Sequence, residues 1–219
     1  MSGLNADAQL RITEIFYSLQ GETSRVGLPT VFIRLTGCPL RCTYCDTAYA
    51  FTGGESIKLV EIMARVAEYA PRYVTVTGGE PLAQKNCLTL LSMLCDAGYE
   101  VSLETGGALD IGGVDERVMR VLDIKTPTSG ESEKNRWDNL DKLTKLDEIK
   151  FVLCNEADYT WAKQVTAQYA LTNKCAVLFS PAQGTLDATL LAEWVLRDRL
   201  DVRFQLQLHK LLWNNEAGH

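Results

Sequence analysis

The sequence predicts a single α/β domain built as a partial, modified (β/α) barrel, and three observations carry that reading. Short β-rich runs alternate with segments whose apolar residues recur at helical spacing, the pattern of βα units and a mainly parallel sheet. The chain has 219 residues, 46% of them hydrophobic, enough for one substantial core, and no linker divides it. A cysteine array follows the apolar run 31–35, and a Gly-Gly turn follows the run 73–77. In open sheets and barrels, ligands collect at that end of the strands.

In chain order, strands are expected over 11–17, 30–35, 73–77, 100–104, 118–124, 148–153, 176–179 and 202–208. No helix follows the first of these, so it reads as an antiparallel extension. A helix over 59–70 places Val60, Met63, Val66, Ala67 and Ala70 at helical spacing and stops before Pro71. A second, over 88–97, ends at Gly98, a natural residue for the left-handed turn that closes a helix. Further helices are expected over 159–169 and 187–197. The polar stretch 126–139, with Pro127 and Gly130, reads as a surface loop or a lid. The anatomy is thus one domain over 1–219. It has a strand extension at about 10–18, a cysteine loop at 37–47, and a C-terminal strand and tail at 202–219.

The formal charge of −6, with no block of lysine or arginine, disfavours direct nucleic-acid binding. No run of about 18 apolar residues is present to span a membrane, and residues 1–9 are too polar for a signal-peptide core. Seven cysteines, an odd number clustered on one loop, suit a reducing compartment, so a cytoplasmic location is expected. Cys87, Cys95, Cys154 and Cys175 lie in or beside apolar segments and read as small buried hydrophobes.

The loop reads Gly37-Cys38-Pro39-Leu40-Arg41-Cys42-Thr43-Tyr44-Cys45-Asp46-Thr47, a C-x3-C-x2-C array. Three thiolates are one short of the four that close a structural zinc or simple iron–sulfur site. A four-iron cube held by three cysteines keeps one iron open, able to chelate the amino and carboxylate groups of S-adenosylmethionine (SAM). A zinc loop could use the same spacing. Its position after a strand, with aromatic Tyr44 before the third cysteine, favours the radical SAM pattern. Thr77-Gly78-Gly79-Glu80-Pro81, one helix and one strand later, resembles the Gly-Gly-Glu motif that holds the methionyl amine of SAM. Glycines there let backbone approach a ligand with no Cβ in the way.

Four strings make the resemblance specific. They are Glu14-Ile15-Phe16-Tyr17-Ser18-Leu19-Gln20-Gly21-Glu22, Phe32-Ile33-Arg34-Leu35-Thr36-Gly37-Cys38, Cys45-Asp46-Thr47 and Gln207-Leu208-His209-Lys210. From Ile12 to Trp213 the chain resembles the 7-carboxy-7-deazaguanine synthases, compact radical SAM enzymes of 7-deazapurine (queuosine) biosynthesis. The resemblance implies a radical SAM type of barrel and a carbon–nitrogen lyase that converts 6-carboxy-5,6,7,8-tetrahydropterin to 7-carboxy-7-deazaguanine and ammonia. It implies a 4Fe-4S cluster on Cys38, Cys42 and Cys45, SAM, and Mg2+ on Thr47. It further implies a homodimer and a flavodoxin-like reductant.

By the same resemblance, SAM contacts fall on Tyr44, Cys45, Asp46, Gly79, Glu80, Asp123, Ile124, Lys125 and Ser180. Asp123-Ile124-Lys125 stands where some members carry Ser-Pro-Lys, so only the lysine is kept. Substrate contacts fall on Leu19, Gln20, Gly21, Glu22, Arg34, Thr77 and His209. A glutamine and a carboxylate suit a pterin edge, and a guanidinium can clamp a carboxylate. No catalytic side chain is expected, because the radical arises on the cofactor. Two other readings stay open: an activating enzyme for a glycyl-radical protein, and a non-catalytic zinc or iron–sulfur module.

Overall fold

Alternation along the strands organises the molecule. In the computed structural model, which describes residues 8–214, 216 and 218, nine strands form one sheet. They are β1 (Gln9–Leu19), β2 (Pro29–Leu35), β3 (Glu55–Lys58), β4 (Tyr73–Gly78), β5 (Glu100–Thr105), β6 (Met119–Asp123), β7 (Glu148–Leu153), β8 (Ala176–Pro181) and β9 (Arg203–Phe204). The order is β3-β1-β2-β4-β5-β6-β7-β8-β9. β1 runs antiparallel to both β2 and β3, and β2 onward pair in parallel. The expected antiparallel extension is therefore present. β3 and β9 are edges that do not pair with each other, so the barrel stays open.

Successive side chains of a strand point to opposite faces. On one face Val31, Ile33, Val74, Val76, Val101, Leu103, Ile149, Phe151, Val177 and Phe179 join a single buried cluster with the helices. These are α1 (Leu59–Glu68), α2 (Cys87–Asp96), α3 (Glu156–Gln168), the short α4 (Leu171–Lys174) and α5 (Ala188–Arg197). Each contributes its apolar stripe, such as Leu59, Ile62 and Val66 of α1. α3 begins earlier than its apolar pattern suggests because the Asn155 side chain caps it, accepting from the Asp158 amide at 3.0 Å. Asp187 caps α5 in the same way, accepting from the Leu190 amide at 2.9 Å. Cys87, Cys154 and Cys175 are buried, and Cys95 is half-buried against the core.

The other face carries Glu14, Arg34, Thr75, Thr77, Ser102, Glu104, Asp123, Glu148 and Lys150, an unusual inventory for parallel strands. Among the described residues the helices α1 to α5 pack on the apolar face instead. The segment 20–28 lies across the polar one. Gln20 Nε2 donates to Thr75 Oγ1 on β4 at 3.2 Å, and the Ser24 amide donates to Glu148 Oε1 on β7 at 2.9 Å.

Two expectations change. The strand expected over 202–208 shrinks to Arg203–Phe204, and α6 (Leu208–Trp213) follows, so His209 stands on a helix. The Gln205 side chain leaves the sheet to bond both the amide and the carbonyl of Thr23, at 2.7 and 2.8 Å, which draws the chain toward the segment 20–28. The stretch 126–139 is no lid. Thr126, Ser129 and Asn139 are fully buried, and its backbone grips the cysteine loop, with the Thr43 amide donating to the Ser129 carbonyl at 3.0 Å.

Asp158, fully buried on α3, holds that stretch in place. Its carboxylate accepts from the amides of Thr128 at 3.0 Å and Cys154 at 3.1 Å. Each orphaned buried amide costs about 1–3 kcal/mol, so Asp158→Ala should lower stability by about 2–4 kcal/mol in urea unfolding. Asp158→Asn, which keeps one acceptor, should cost less. A wild-type midpoint for the alanine variant would mean that these bonds do not anchor the stretch.

Candidate active site

One cavity of about 530 Å3 opens where the C-terminal strand ends meet the polar face. Cys38, Cys42 and Cys45 all line it, each half-buried. Burial raises the Cys38 and Cys42 thiols above their ordinary range, and the Lys125 ammonium works against that rise. The loop that carries them is pinned on several sides. The Arg41 amide donates to Glu131 Oε1 at 2.5 Å, while its guanidinium donates to the Cys38 and Leu40 carbonyls at 2.6 Å and stacks on Phe51.

The Gly-Gly turn after β4 presses against this loop. The Gly79 amide donates to the Leu35 carbonyl at 3.0 Å and the Glu80 amide to the Gly37 carbonyl at 2.8 Å. A Cβ on Gly79 would sit 2.2 Å from that Gly37 oxygen and 2.9 Å from Cys38 Cβ, so only glycine permits the approach.

Two residues of the cavity lining carry buried polar atoms with no hydrogen-bond partner among the described residues, Tyr44 Oη and Asp123 Oδ1. Buried polar atoms are normally paired, so these two orphans on the wall that carries the three thiols mark a place for a polar ligand. The residues therefore suit both an iron–sulfur cluster and SAM. Among the described residues no three cysteine, histidine or acidic side chains are grouped so as to hold a metal ion.

The cavity floor is a lattice of buried charge. Glu22 pairs with Lys150 and accepts from Gln207 Nε2 at 2.7 Å. Asp123 Oδ2 lies 3.0 Å from Lys125 Nζ and 3.8 Å from Lys150 Nζ. Burial alone would raise the Glu22 carboxyl, but Lys150 and the bond to Gln207 bring it below its ordinary value. Burial likewise opposes charge on Lys150, and Glu22, Asp123 and Glu104 more than restore it. Burial first, and then the Glu22 charge, push the Glu104 carboxyl upward, and Lys150 and Arg34 pull it down without offsetting that rise. It accepts from Thr77 Oγ1 at 3.1 Å and Gln20 Nε2 at 3.3 Å.

His209 closes one side. A Cβ on Gly21 would meet its Nδ1 at 2.0 Å, and the Leu208 amide donates to the Gly21 carbonyl at 2.9 Å, so α6 docks on a glycine that has to be bare. Burial lowers the His209 imidazole below its ordinary value; Glu22 and Asp46 pull it back up, Lys210 and Lys150 push it further down, and the net lowering keeps it neutral at pH 7.

Leu19, Gln20, Gly21, Glu22, Arg34, Tyr44, Asp46, Thr47, Thr77, Gly79, Asp123, Lys125 and His209 all line the cavity with the three cysteines. Glu80 and Ile124 do not. The Glu80 carboxylate is spent on Thr105 Oγ1 at 2.9 Å and on the amides of Gly106 and Leu82 at 2.8 and 3.0 Å, locking the β4 and β5 ends together. Ile124 points into the apolar core. Ser180 stands behind the wall, and Asp46 pairs with Lys210 of α6 at 2.5 Å. Glu14, Tyr49, Glu104, Lys150 and Gln207 escaped the sequence reading. Glu104 and Lys150 carried a signal: charged residues alternating with apolar ones inside short buried strands.

The donor set makes a direct prediction. Anaerobic reconstitution with iron and sulfide should give a brown protein with about four irons per chain. Replacing Cys38, Cys42 or Cys45 by alanine should abolish that content, while Cys87→Ala should retain it. Full iron loading in any of the first three would remove that residue from the ligand set.

The chain has relatives among known proteins over nearly its full length. Residues 32–146 match the model of the Radical SAM superfamily. The chain is 48% identical to the 7-carboxy-7-deazaguanine synthase of Chlorobaculum tepidum, covering 98% of this chain and 99% of that protein. It is 46% identical to the protein of that name from Koribacter versatilis, covering 95% and 99%. Among solved structures, QueE from Escherichia coli matches with a TM-score of 0.77 at 22% identity, covering 92% of this chain and 95% of that one. SuiB of Streptococcus suis bound to S-adenosylmethionine matches at 0.54 and 13% identity, covering 78% and 45%. An open parallel sheet with three cysteines at its ligand-gathering end thus has its relatives at nearly full length, and the chain belongs to the 7-carboxy-7-deazaguanine synthase family of the Radical SAM superfamily.

Proposed function

We propose that the protein converts 6-carboxy-5,6,7,8-tetrahydropterin to 7-carboxy-7-deazaguanine and ammonia, the ring contraction that serves 7-deazapurine (queuosine) biosynthesis. One observation carries the reading: a single cavity holds the three thiols at one side and Arg34, Gln20 and Glu104 at the other. Loss of ammonia accounts for the whole change in composition, so the reaction requires no net oxidant. When bound, the cluster and SAM supply the hydrogen-abstracting radical, and the protein's task is to position and to exclude water.

Cys38, Cys42 and Cys45 would hold the cluster, and Tyr44 and Asp123 offer unpaired oxygens to SAM. Gly79 leaves its backbone open to the same ligand, and Lys125 adds a cation near it. Gln20, Glu22 and Glu104 offer the donors and acceptors that a 2-amino-4-oxo pterin edge requires. Arg34 faces the carboxylate, and neutral His209 can donate or accept one hydrogen bond against the ring. The Thr47 hydroxyl, now donating to Asp46 Oδ1 at 2.9 Å, is the place for Mg2+, whose remaining ligands would be substrate oxygens and water. A homodimer, a flavodoxin-like electron donor and a cytoplasmic location complete the proposal. Among the described residues no helix is long and apolar enough to cross a membrane.

The test is anaerobic incubation with SAM, reductant, Mg2+ and the carboxylated tetrahydropterin, with products identified by mass. Formation of 7-carboxy-7-deazaguanine with SAM recovered is expected. Chelation should lower turnover, and Thr47→Ala should blunt the response to Mg2+ while leaving the cluster's visible absorbance. Cleavage of SAM with no deazapurine would contradict the substrate, and a colourless zinc protein would contradict the chemistry. Indifference to chelator would remove the metal.

A further inference from the structure

Arg34 does not stand alone in the cavity wall. It faces Glu14 across the antiparallel pair of β1 and β2, and its Nε donates to Glu14 Oε1 at 2.6 Å. The Tyr49 hydroxyl donates to that same oxygen at 2.8 Å. Phe16 and Tyr49 flank the guanidinium, each ring centroid 5.9 Å from Arg34 Cζ. Arg34, Phe16 and Tyr49 line the cavity and Glu14 does not, so the carboxylate grips the guanidinium from behind.

With Nε occupied, the side-on face of the fork is closed, and the two Nη groups have no hydrogen-bond acceptor among the described residues. They are what the cavity meets. We propose that Glu14 and Tyr49 are positioning residues. They hold Arg34 so that its Nη pair meets the carboxylate of the substrate end-on, and they thereby set the preference for a carboxylated over an uncharged pterin. This rests on the reading that Arg34 receives the substrate carboxylate.

Charge and orientation predict opposite signs here. Glu14 partly neutralises Arg34, so if charge alone mattered, its removal would strengthen binding of an anion. If orientation matters, its removal frees a long side chain and weakens binding, because less of the ordering has been done beforehand.

The experiment measures equilibrium binding of the carboxylated tetrahydropterin and of its analogue lacking the carboxylate, with reconstituted, SAM-loaded enzyme under anaerobic conditions. Glu14→Ala should weaken the carboxylated ligand about tenfold and the analogue less than about twofold. Glu14→Gln, whose amide oxygen still accepts from Nε, should keep most of the affinity, and Tyr49→Phe should fall between wild type and Glu14→Ala. In an Arg34→Ala background, Glu14→Ala should add less than about a twofold effect. Unchanged or tighter binding of the carboxylated ligand by Glu14→Ala overturns the proposal, and so does an equal loss for both ligands. Should that variant fail to fold, a Tyr49→Phe enzyme with wild-type discrimination overturns it equally. If Arg34→Ala itself leaves binding unchanged, the carboxylate reading falls too. If binding needs Arg34 and ignores Glu14, only the positioning role falls.

Discussion

The buried pair of Glu22 and Lys150 is the constraint on which the rest of this structure depends. Their side chains are only 11% and 12% exposed, on a sheet face that parallel strands ordinarily make apolar. A charge in such a place has to be matched or neutralised. Lys150 meets Glu22 and lies near Asp123, and Glu22 reaches Gln207 beside α6. This lattice ties the segment after β1, the ends of β6 and β7, and the C-terminal chain to one floor. The price is the expected one for enzymes: the polar face gives up core packing in order to hold a cavity.

The two ends of the cavity are built by different means. At the cluster end, backbone does most of the work. The cysteine loop is fastened to the Gly-Gly turn, to Ser129 and to the Ala50 carbonyl through main-chain bonds, which place three thiols without using their side chains. At the opposite end, where we propose that the substrate binds, side chains do it, through Gln20, Glu22, Glu104, Arg34 and His209. Asp46, next to the last cysteine, pairs with Lys210, next to His209, and joins the two ends. A shift in α6 would therefore be felt at both.

Much of this was legible in the sequence because it rests on local signals. Alternation and helical spacing located every strand but the short β3, and the helices α1, α2, α3 and α5 but not α4 or α6. The cysteine array with Gly78-Gly79 located the cavity mouth. What was not legible depends on contacts distant in sequence. The strand expected over 202–208 ended early because Gln205 bonds to Thr23, which no local pattern reveals. The stretch 126–139 looked like solvent-facing loop by composition, yet its polar groups find partners inside the protein: Asp158 accepts from the Thr128 amide, and the Asn139 side chain accepts from the Ile111 amide and donates to the Leu109 carbonyl. Glu80 read as a ligand contact because of its motif, whereas its carboxylate is occupied by Thr105, Gly106 and Leu82. Glu104 and Lys150 were visible as charges at alternate strand positions, but which face they shared was set by register.

The central claim is that the polar face holds together through the Glu22–Lys150 pair, and a double-mutant cycle on stability tests it most directly. Breaking a buried pair from either side leaves an unmatched charge, and costs about 3–5 kcal/mol. Glu22→Gln and Lys150→Met should each show a loss of that order in urea unfolding of the same reconstituted enzyme. The double variant should recover a large part of it, since both charges are then gone. Single variants that each cost less than about 1 kcal/mol and simply add in the double would contradict the account.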